Sequence, residues 1–464
     1  MKVALVNPYP YYASGIESTI YPPLGLLYIG RQIKPHINSL LVLDANALKI
    51  NVQATYDRLK TFKPDMVGIS INIATVRAAR ELAILIKRSN PEILLVSGGP
   101  HPTVFPEKWL EYMDVVITGE GEISFLNLIE RLKHEKDLPA DIPGVCIKGG
   151  PITFSPHVNP DEIGFPAYEQ LEPPLKFYTK GARVIKPFMA SILTSRGCPY
   201  NCSFCDKSVH GSNFRPRSFQ SVIDEIYWLK KEYGINQIDI LDDNFTFDTV
   251  RAEKILDGII RIGGLAINCQ NGLRADRLNE ELIRKMKLAG VFKTGIGIES
   301  GSADILRRID KKLDLDQVRL VIKWLRKEKI TVHGYFIIGF PFESSSDIEK
   351  SLKFAIDANP HFANFSNYLP IPGTRLFNYL KDQSKLIYKE FDDIDTGFFR
   401  EKPLAYLDNI SSRKVEKLYK EVWRSFYLRP YKIIDILKTI KSFREFFWIL
   451  KIAFSVLKRR LIVG

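Results

Sequence analysis

The chain has 464 residues, a net charge of +13, 45% hydrophobic and 26% charged residues, and five cysteines. That length suffices for two or three domains with full cores, and the few cysteines exclude a disulfide scaffold and suit a reducing, cytoplasmic compartment. The excess charge is local: residues 411–464 hold fourteen Lys/Arg against four Asp/Glu, so it is a property of one segment and not of the whole surface. The opening MKVALVNPYP has no cleavable-signal layout, and without a run of about 20 apolar residues no transmembrane helix is expected.

Residues 1–135 alternate apolar runs with helical patterns. VALVN (3–7), LLVLD (40–44), MVGIS (66–70), ILLVSGG (93–99) and VVITG (115–119) have the near-continuous Val/Ile/Leu content of buried parallel strands. Segments such as TVRAARELAILIKR (75–88) supply crossover helices. The pattern predicts an α/β, doubly wound Rossmann-like sheet, whose ligands bind beyond the carboxyl ends of the strands. The loops of interest are therefore NPYPYYASG, SINIAT, GGPHPT and GEGE. Residues 136–187 form a connector: 139–187 carries nine of the 27 prolines, which cannot feed helices or central strands.

From 188 the alternation resumes. Strands are predicted at 189–197, 236–243, 266–274, 292–300, 331–340 and 364–373, with helices between them; EELIRKMKLAG ends on Gly290 as a C-cap. Six units predict a partial (β/α)6 barrel of the TIM type over 188–400, with its site at the C-terminal strand ends. Residues 401–464 read as a basic region of amphipathic helices.

Three cysteines, Cys198, Cys202 and Cys205, fall in RGCPYNCSFCD at spacing C-x3-C-x2-C, with no fourth cysteine nearby. Structural zinc wants four closed ligands, and His210 is near enough to complete such a set. A 4Fe–4S cluster on three thiolates instead leaves one iron open to substrate or cofactor. Three core cysteines are the bland alternative, but a loop rich in Gly, Pro and Asn makes a poor core.

C-x3-C-x2-C with the aromatic Phe204 before its last cysteine resembles the signature of radical S-adenosylmethionine enzymes. The resemblance implies a 4Fe–4S cluster whose open iron chelates S-adenosylmethionine, with Phe204 beside the adenine. GIGIESGS (295–302) resembles the family's ribose element, with Glu299 and Ser300 as polar contacts. ILDDNF (240–245) stands where a Gly-Gly-Glu element is usual, so Asp242 and Asp243 would substitute for it; as a bland alternative they cap the next helix. NGLRAD (271–276, with Arg274), FIIGFP (336–341) and PIPGT (370–374) also match one branch of the family.

The N-terminal half resembles the cobalamin-binding domain that precedes the barrel in the class B methylase-like subfamily. The matching residues are SGGPHPT (97–103) and TGEGE (118–122). The resemblance implies that Gly98, Gly99, Gly119 and Gly121 let backbone approach a flat, amide-fringed ligand. Ser70, Thr103 and Glu120 would bond its nucleotide tail. No D-x-H occurs in the chain, and His101 is the only histidine in a suitable loop. Cobalamin without a histidine lower ligand is therefore implied. Radical methylthiotransferases resemble this arrangement too, but they carry cluster cysteines in the N-terminal domain, which here has none through residue 145.

The combination implies a radical enzyme that methylates an unactivated carbon. A 5′-deoxyadenosyl radical takes hydrogen from substrate, and methylcobalamin supplies the methyl group. A reductant protein such as ferredoxin or flavodoxin would feed the cluster. The alternatives are a cobalamin-independent carbon–carbon coupling or ring-forming enzyme, and a non-enzymatic cobalamin or metal sensor. FREFFWILKIAFSVLKRR (443–460) suits an interfacial helix, which would place the protein peripherally at the inner membrane face and bring the barrel mouth to a lipid-like substrate. Its alternative is a helix packed on the barrel; nucleic-acid binding ranks last.

Overall fold

A computed structural model describes residues 1–10, 20–135, 137–179, 184–389, 394, 402–440, 446, 447 and 450. The first sheet has seven strands: β1 (Lys2–Asn7), β2 (Ser39–Asp44), β3 (Met66–Ser70), β4 (Leu94–Gly98), β5 (Val115–Ile117), β6 (Val145–Ile147) and β7 (Leu171–Glu172), in the order β6-β5-β4-β3-β1-β2-β7. All neighbours run parallel except β5 and β6. Alternate side chains of β1 feed two cores. Val3 and Leu5 pack with the helices at 24–33 and 121–132, while Ala4 and Val6 pack with those at 52–62 and 76–89. This is why the apolar runs are continuous: each strand is covered on both faces. The chain moves outward from β1 in both directions, to β2 on one side and to β3 on the other. A crevice therefore opens at the carboxyl ends of β1 and β3.

Among its described residues, the proline-rich segment contributes the edge strands β6 and β7 and two short 3-10 turns. It also ties the two halves together: Tyr178 Oη donates to Asp44 Oδ2 (2.6 Å) and Tyr168 Oη to the Ser191 carbonyl (3.0 Å).

The second sheet is a six-stranded parallel partial barrel. Its strands are β8 (Met189–Ile192), then, after the short pair β9 (Ser195–Arg196) and β10 (Arg215–Pro216), β11 (Gln237–Ile240), β12 (Ala266–Leu273), β13 (Val291–Glu299), β14 (Thr331–Ile338) and β15 (Phe362–Asn367). Every strand neighbours the next in the sequence β8-β11-β12-β13-β14-β15, as a right-handed β/α progression requires. Helix Phe219–Tyr233 shows the local logic. Ser218 caps its start by accepting from Ser221 N, and Gly234 at φ 63° ends it. Gly290 likewise follows helix Glu280–Leu288 at φ 93°.

Helix Ser412–Tyr427 lies across β15. It buries Val415, Leu418, Val422 and Phe426 and hangs Tyr427 Oη on both the N–H and the carbonyl of Ala363. Helix Pro430–Leu437 follows it. The interfacial segment 443–460 lies outside the described residues, apart from 446, 447 and 450.

Candidate functional site

Strands β9 and β10 pair antiparallel, Arg196 opposite Arg215, and so close the base of the cysteine loop at 197–214. Gly197 begins the loop at φ 79°, and a Cβ there would lie 2.2 Å from the Asn213 carbonyl oxygen. Only glycine makes that turn. The barrel holds the loop from outside: Ser203 N donates to the Ile309 carbonyl and Leu376 N to the Ser203 carbonyl, both at 2.9 Å. Arg274 stacks 3.7 Å above the Tyr200 ring.

The base of the loop is also clamped to the first domain. Glu120, with no exposed side-chain surface, accepts from Arg215 Nη1 and Nη2 (2.9 and 2.7 Å) and from Val158 N (2.8 Å), and its Oε1 lies 2.7 Å from His210 Nδ1. Arg196 Nη2 donates to Glu122 (2.6 Å), and its Nη1 lies 3.3 Å from Glu120. Burial opposes ionisation of Glu120, but the His210 and Arg215 hydrogen bonds and the Arg196 charge outweigh it. They hold the carboxyl well below its usual range. His210, which could have closed a zinc set, is thus engaged with Glu120, and among the described residues no three His, Cys, Asp or Glu side chains converge on a single-ion site.

Above this clamp lies a cavity of about 590 Å³. One wall comes from the first domain: Gly68 and Ser70 at the end of β3, Ser97, Gly98 and Gly99 at β4, and Gly119 and Gly121 after β5. The other wall carries Cys198, Cys202 and Cys205, with Asp243 and Asn271. Gly99 (φ 100°) leaves no room for a side chain: a Cβ would sit 2.8 Å from the Ile71 carbonyl oxygen. Two buried polar atoms of lining residues, Tyr28 Oη and Ser97 Oγ, have no hydrogen-bond partner among the described residues. A glycine-floored slot with unsatisfied polar atoms fits a large flat ligand fringed with amides.

The three thiols fit an iron–sulfur cluster. They project from one loop onto one wall of the cavity, in the number and at the spacing that leave one iron of a 4Fe–4S cluster open.

A second cavity, about 280 Å³, is lined by Phe204, Glu299, Tyr335, Asn364 and Asn367. Glu299 sits in left-handed backbone (φ 68°) and accepts from Lys311 Nζ at 2.8 Å, both side chains almost wholly buried. Phe204 and Glu299, 95 positions apart, thus share one chamber beside the cysteine loop.

Six residues expected as ligand contacts make bonds within the chain. Asp242 is buried and accepts from Thr194 N, Thr194 Oγ1 and Ser195 Oγ (2.6, 2.5 and 2.6 Å), so it pins the β8–β9 turn, whereas its exposed neighbour Asp243 lines the larger cavity. Ser300 is buried against Ser351 and Ser302. Arg274 bonds Asp276 and the carbonyls of Lys311 and Lys312. His101 accepts from Trp109 Nε1 at 2.9 Å behind the glycine wall, and burial, with Lys108 nearby, depresses it to about 4. Thr103 donates to the Gly99 carbonyl and accepts from Gly119 N, bracing the glycine turns. Glu120 reaches the cavity but spends its carboxylate on the clamp. Sequence reasoning missed Arg196, Arg215, Glu122 and Lys311. Of these, Arg196, next to the cysteine motif, and Glu122, the last residue of TGEGE, carried a local signal.

Residues 192–355 match the family model of the Radical SAM superfamily, and residues 18–129 that of the B12 binding domain. "Uncharacterized methyltransferase PH0819" of Pyrococcus horikoshii is 34% identical, covering 94% of each chain. The anaerobic magnesium-protoporphyrin IX monomethyl ester cyclase of Rubrivivax gelatinosus is 28% identical, covering 82% of this chain and 70% of its own. The structure of the cobalamin-dependent S-adenosylmethionine radical enzyme OxsB, with aqua-cobalamin and S-adenosylmethionine bound, superposes with a TM-score of 0.74 at 18% identity, over 99% of this chain and 71% of that one. The chain belongs to the cobalamin-binding radical S-adenosylmethionine enzymes, whose cofactors are a 4Fe–4S cluster, S-adenosylmethionine and cobalamin.

Proposed function

We propose that this enzyme transfers a methyl group to an unactivated carbon. The observation that carries the reading is the shared chamber: the glycine wall and the three cysteines line the same cavity. Were the first domain only a scaffold, nothing would require its strand ends to open onto the cysteine loop.

When bound, the cluster and S-adenosylmethionine supply hydrogen abstraction, and cobalamin supplies a methyl carrier. The chain's own residues hold and orient. Cys198, Cys202 and Cys205 would ligate iron. Phe204 and Glu299, braced by Lys311, shape the smaller chamber for S-adenosylmethionine. Gly98, Gly99, Gly119 and Gly121 let backbone meet the cobalamin face, and Ser70 and Ser97 offer hydroxyls to its nucleotide tail. Among the described first-domain residues that line the larger cavity none is a histidine, so cobalamin would bind without a histidine lower ligand. No acid–base pair is needed; the buried charges set position.

The test needs no substrate. Anaerobically reconstituted protein given cobalamin, S-adenosylmethionine and a low-potential reductant should form both 5′-deoxyadenosine and S-adenosylhomocysteine, the latter only when cobalamin is present. Gly99→Val should lose S-adenosylhomocysteine and keep 5′-deoxyadenosine. If a cobalamin-loaded enzyme makes 5′-deoxyadenosine alone, the ring-forming or coupling alternative is favoured, the outcome that the name of the R. gelatinosus relative describes.

A further inference from the structure

The helix Pro430–Leu437 is inside out. A helix on a water-soluble surface buries its apolar stripe and shows its charges. Here Lys432 and Asp435 face inward, while Tyr431, Ile433, Ile434 and Leu437 are 47–59% exposed, and Leu428 just before them is as open. The inward charges are locked. Asp435 accepts from Arg326 through both oxygens (3.0 and 2.7 Å), and Lys432 Nζ donates to Asp435 and to the Pro360 carbonyl, each at 2.8 Å. Turning the helix to hide its apolar side would break all of these, so the fold holds that side outward.

The surroundings of this face are basic. On helix Ser412–Tyr427, Arg413, Lys417 and Arg424 are exposed at spacings of four and seven, which sets them on the side that leads to Leu428. In sequence, residues 438–464 hold seven Lys/Arg against a single Glu. Two copies meeting on this face would bring two such basic segments together. An anionic bilayer would neutralise them while taking up the apolar side chains.

We infer that the 428–437 face is a docking surface for an anionic lipid bilayer, held by apolar contact and by the flanking Lys/Arg. Arg326 ends the helix that leads into β14, and Pro360 stands just before β15, so this face lies at the amino-terminal end of the barrel strands. The cysteine loop is at the opposite end. The membrane therefore holds the barrel by its closed end, and the mouth points away from it. This orientation differs from the one expected from segment 443–460, which lies largely outside the described residues.

The test uses the full chain and sedimentation with vesicles of phosphatidylglycerol or of phosphatidylcholine. Binding is expected to phosphatidylglycerol vesicles only, to be reversed by high salt, and to weaken about tenfold or more in the double variant Ile434→Glu, Leu437→Glu. In case the variant does not fold, hydrogen exchange on the unaltered chain gives an independent readout: anionic vesicles should slow the amides of 428–437. Unchanged binding by a folded variant overturns the inference. So does vesicle binding that leaves the exchange of 428–437 unchanged. A concentration-dependent dimer that the double variant dissociates, without lipid binding, overturns it in favour of a second copy.

Discussion

Asp242 and Asp243 are adjacent in sequence and opposite in role. Both lie in the loop after β11, which buries Asp242 against the β8–β9 turn and leaves Asp243 at the cavity, and no composition rule says which is which. Three donors fill the Asp242 carboxylate, the N–H and hydroxyl of Thr194 and the hydroxyl of Ser195. Asp242→Ala would leave all three unpaired in the interior. We expect a loss of about 2–4 kcal/mol of stability, read as a lower unfolding midpoint, whereas Asp243→Ala should leave the midpoint within about 0.5 kcal/mol. A drop for Asp243→Ala equal to that for Asp242→Ala would contradict this division of labour. The cysteines were legible for the opposite reason: thiolate ligation needs short, fixed loop spacings, so the whole site is written in eight consecutive residues. Glu299 was legible through its motif, but its partner Lys311 was not, because the pairing depends on how the helix after β13 returns to the strand end.

At the scale of elements, the strands were read well because burial on both faces forces unbroken Val/Ile/Leu runs. The ends of β4, β5, β8 and β15 were read less well. Glycines and polar residues beyond them continue the apolar pattern but leave the ladder to form the site. The turn after β14 shows what a strand end can hide. Glu343 is buried, and its Oε2 accepts from Gly339 N (2.5 Å) and Phe340 N (3.3 Å) while Oε1 has no partner among the described residues. Burial pushes this carboxyl up to about 8. The sign follows from linkage. Below pH ~4.5 the group is protonated in both states and costs nothing. As pH rises from there toward 8, the unfolded chain ionises and the folded one does not, so stability falls across that window and then levels off. Glu343→Gln keeps an acceptor for the turn and removes the titration. The stability advantage of the variant should therefore grow between pH 5 and 8 to a few kcal/mol, as an order of magnitude. Parallel unfolding curves for the two proteins at pH 5 and pH 8, with a constant offset, would refute the assignment.

For the whole molecule, what the sequence could not show is that its two domains meet at one chamber. Glu120, Glu122, Arg196 and Arg215 lie up to 95 positions apart, and each alone looks like ordinary surface charge. Together they form a buried cluster that fixes the cysteine loop against the glycine wall. Removing one member strands the others, so Arg196→Ala should cost about 3–5 kcal/mol and speed proteolytic separation of the halves. If this variant resists proteolysis as the parent does, the clamp is not what joins the domains. Cobalamin and the cluster should occupy the same cavity, and electron paramagnetic resonance of the full chain can show whether they do. With cob(II)alamin bound and the cluster reduced, the cobalt signal should broaden and relax faster through the neighbouring cluster spin, and both effects should vanish in Cys202→Ala. A cobalt signal unchanged by reduction of a fully loaded cluster, or a cluster-loaded protein that retains no cobalamin, would contradict it.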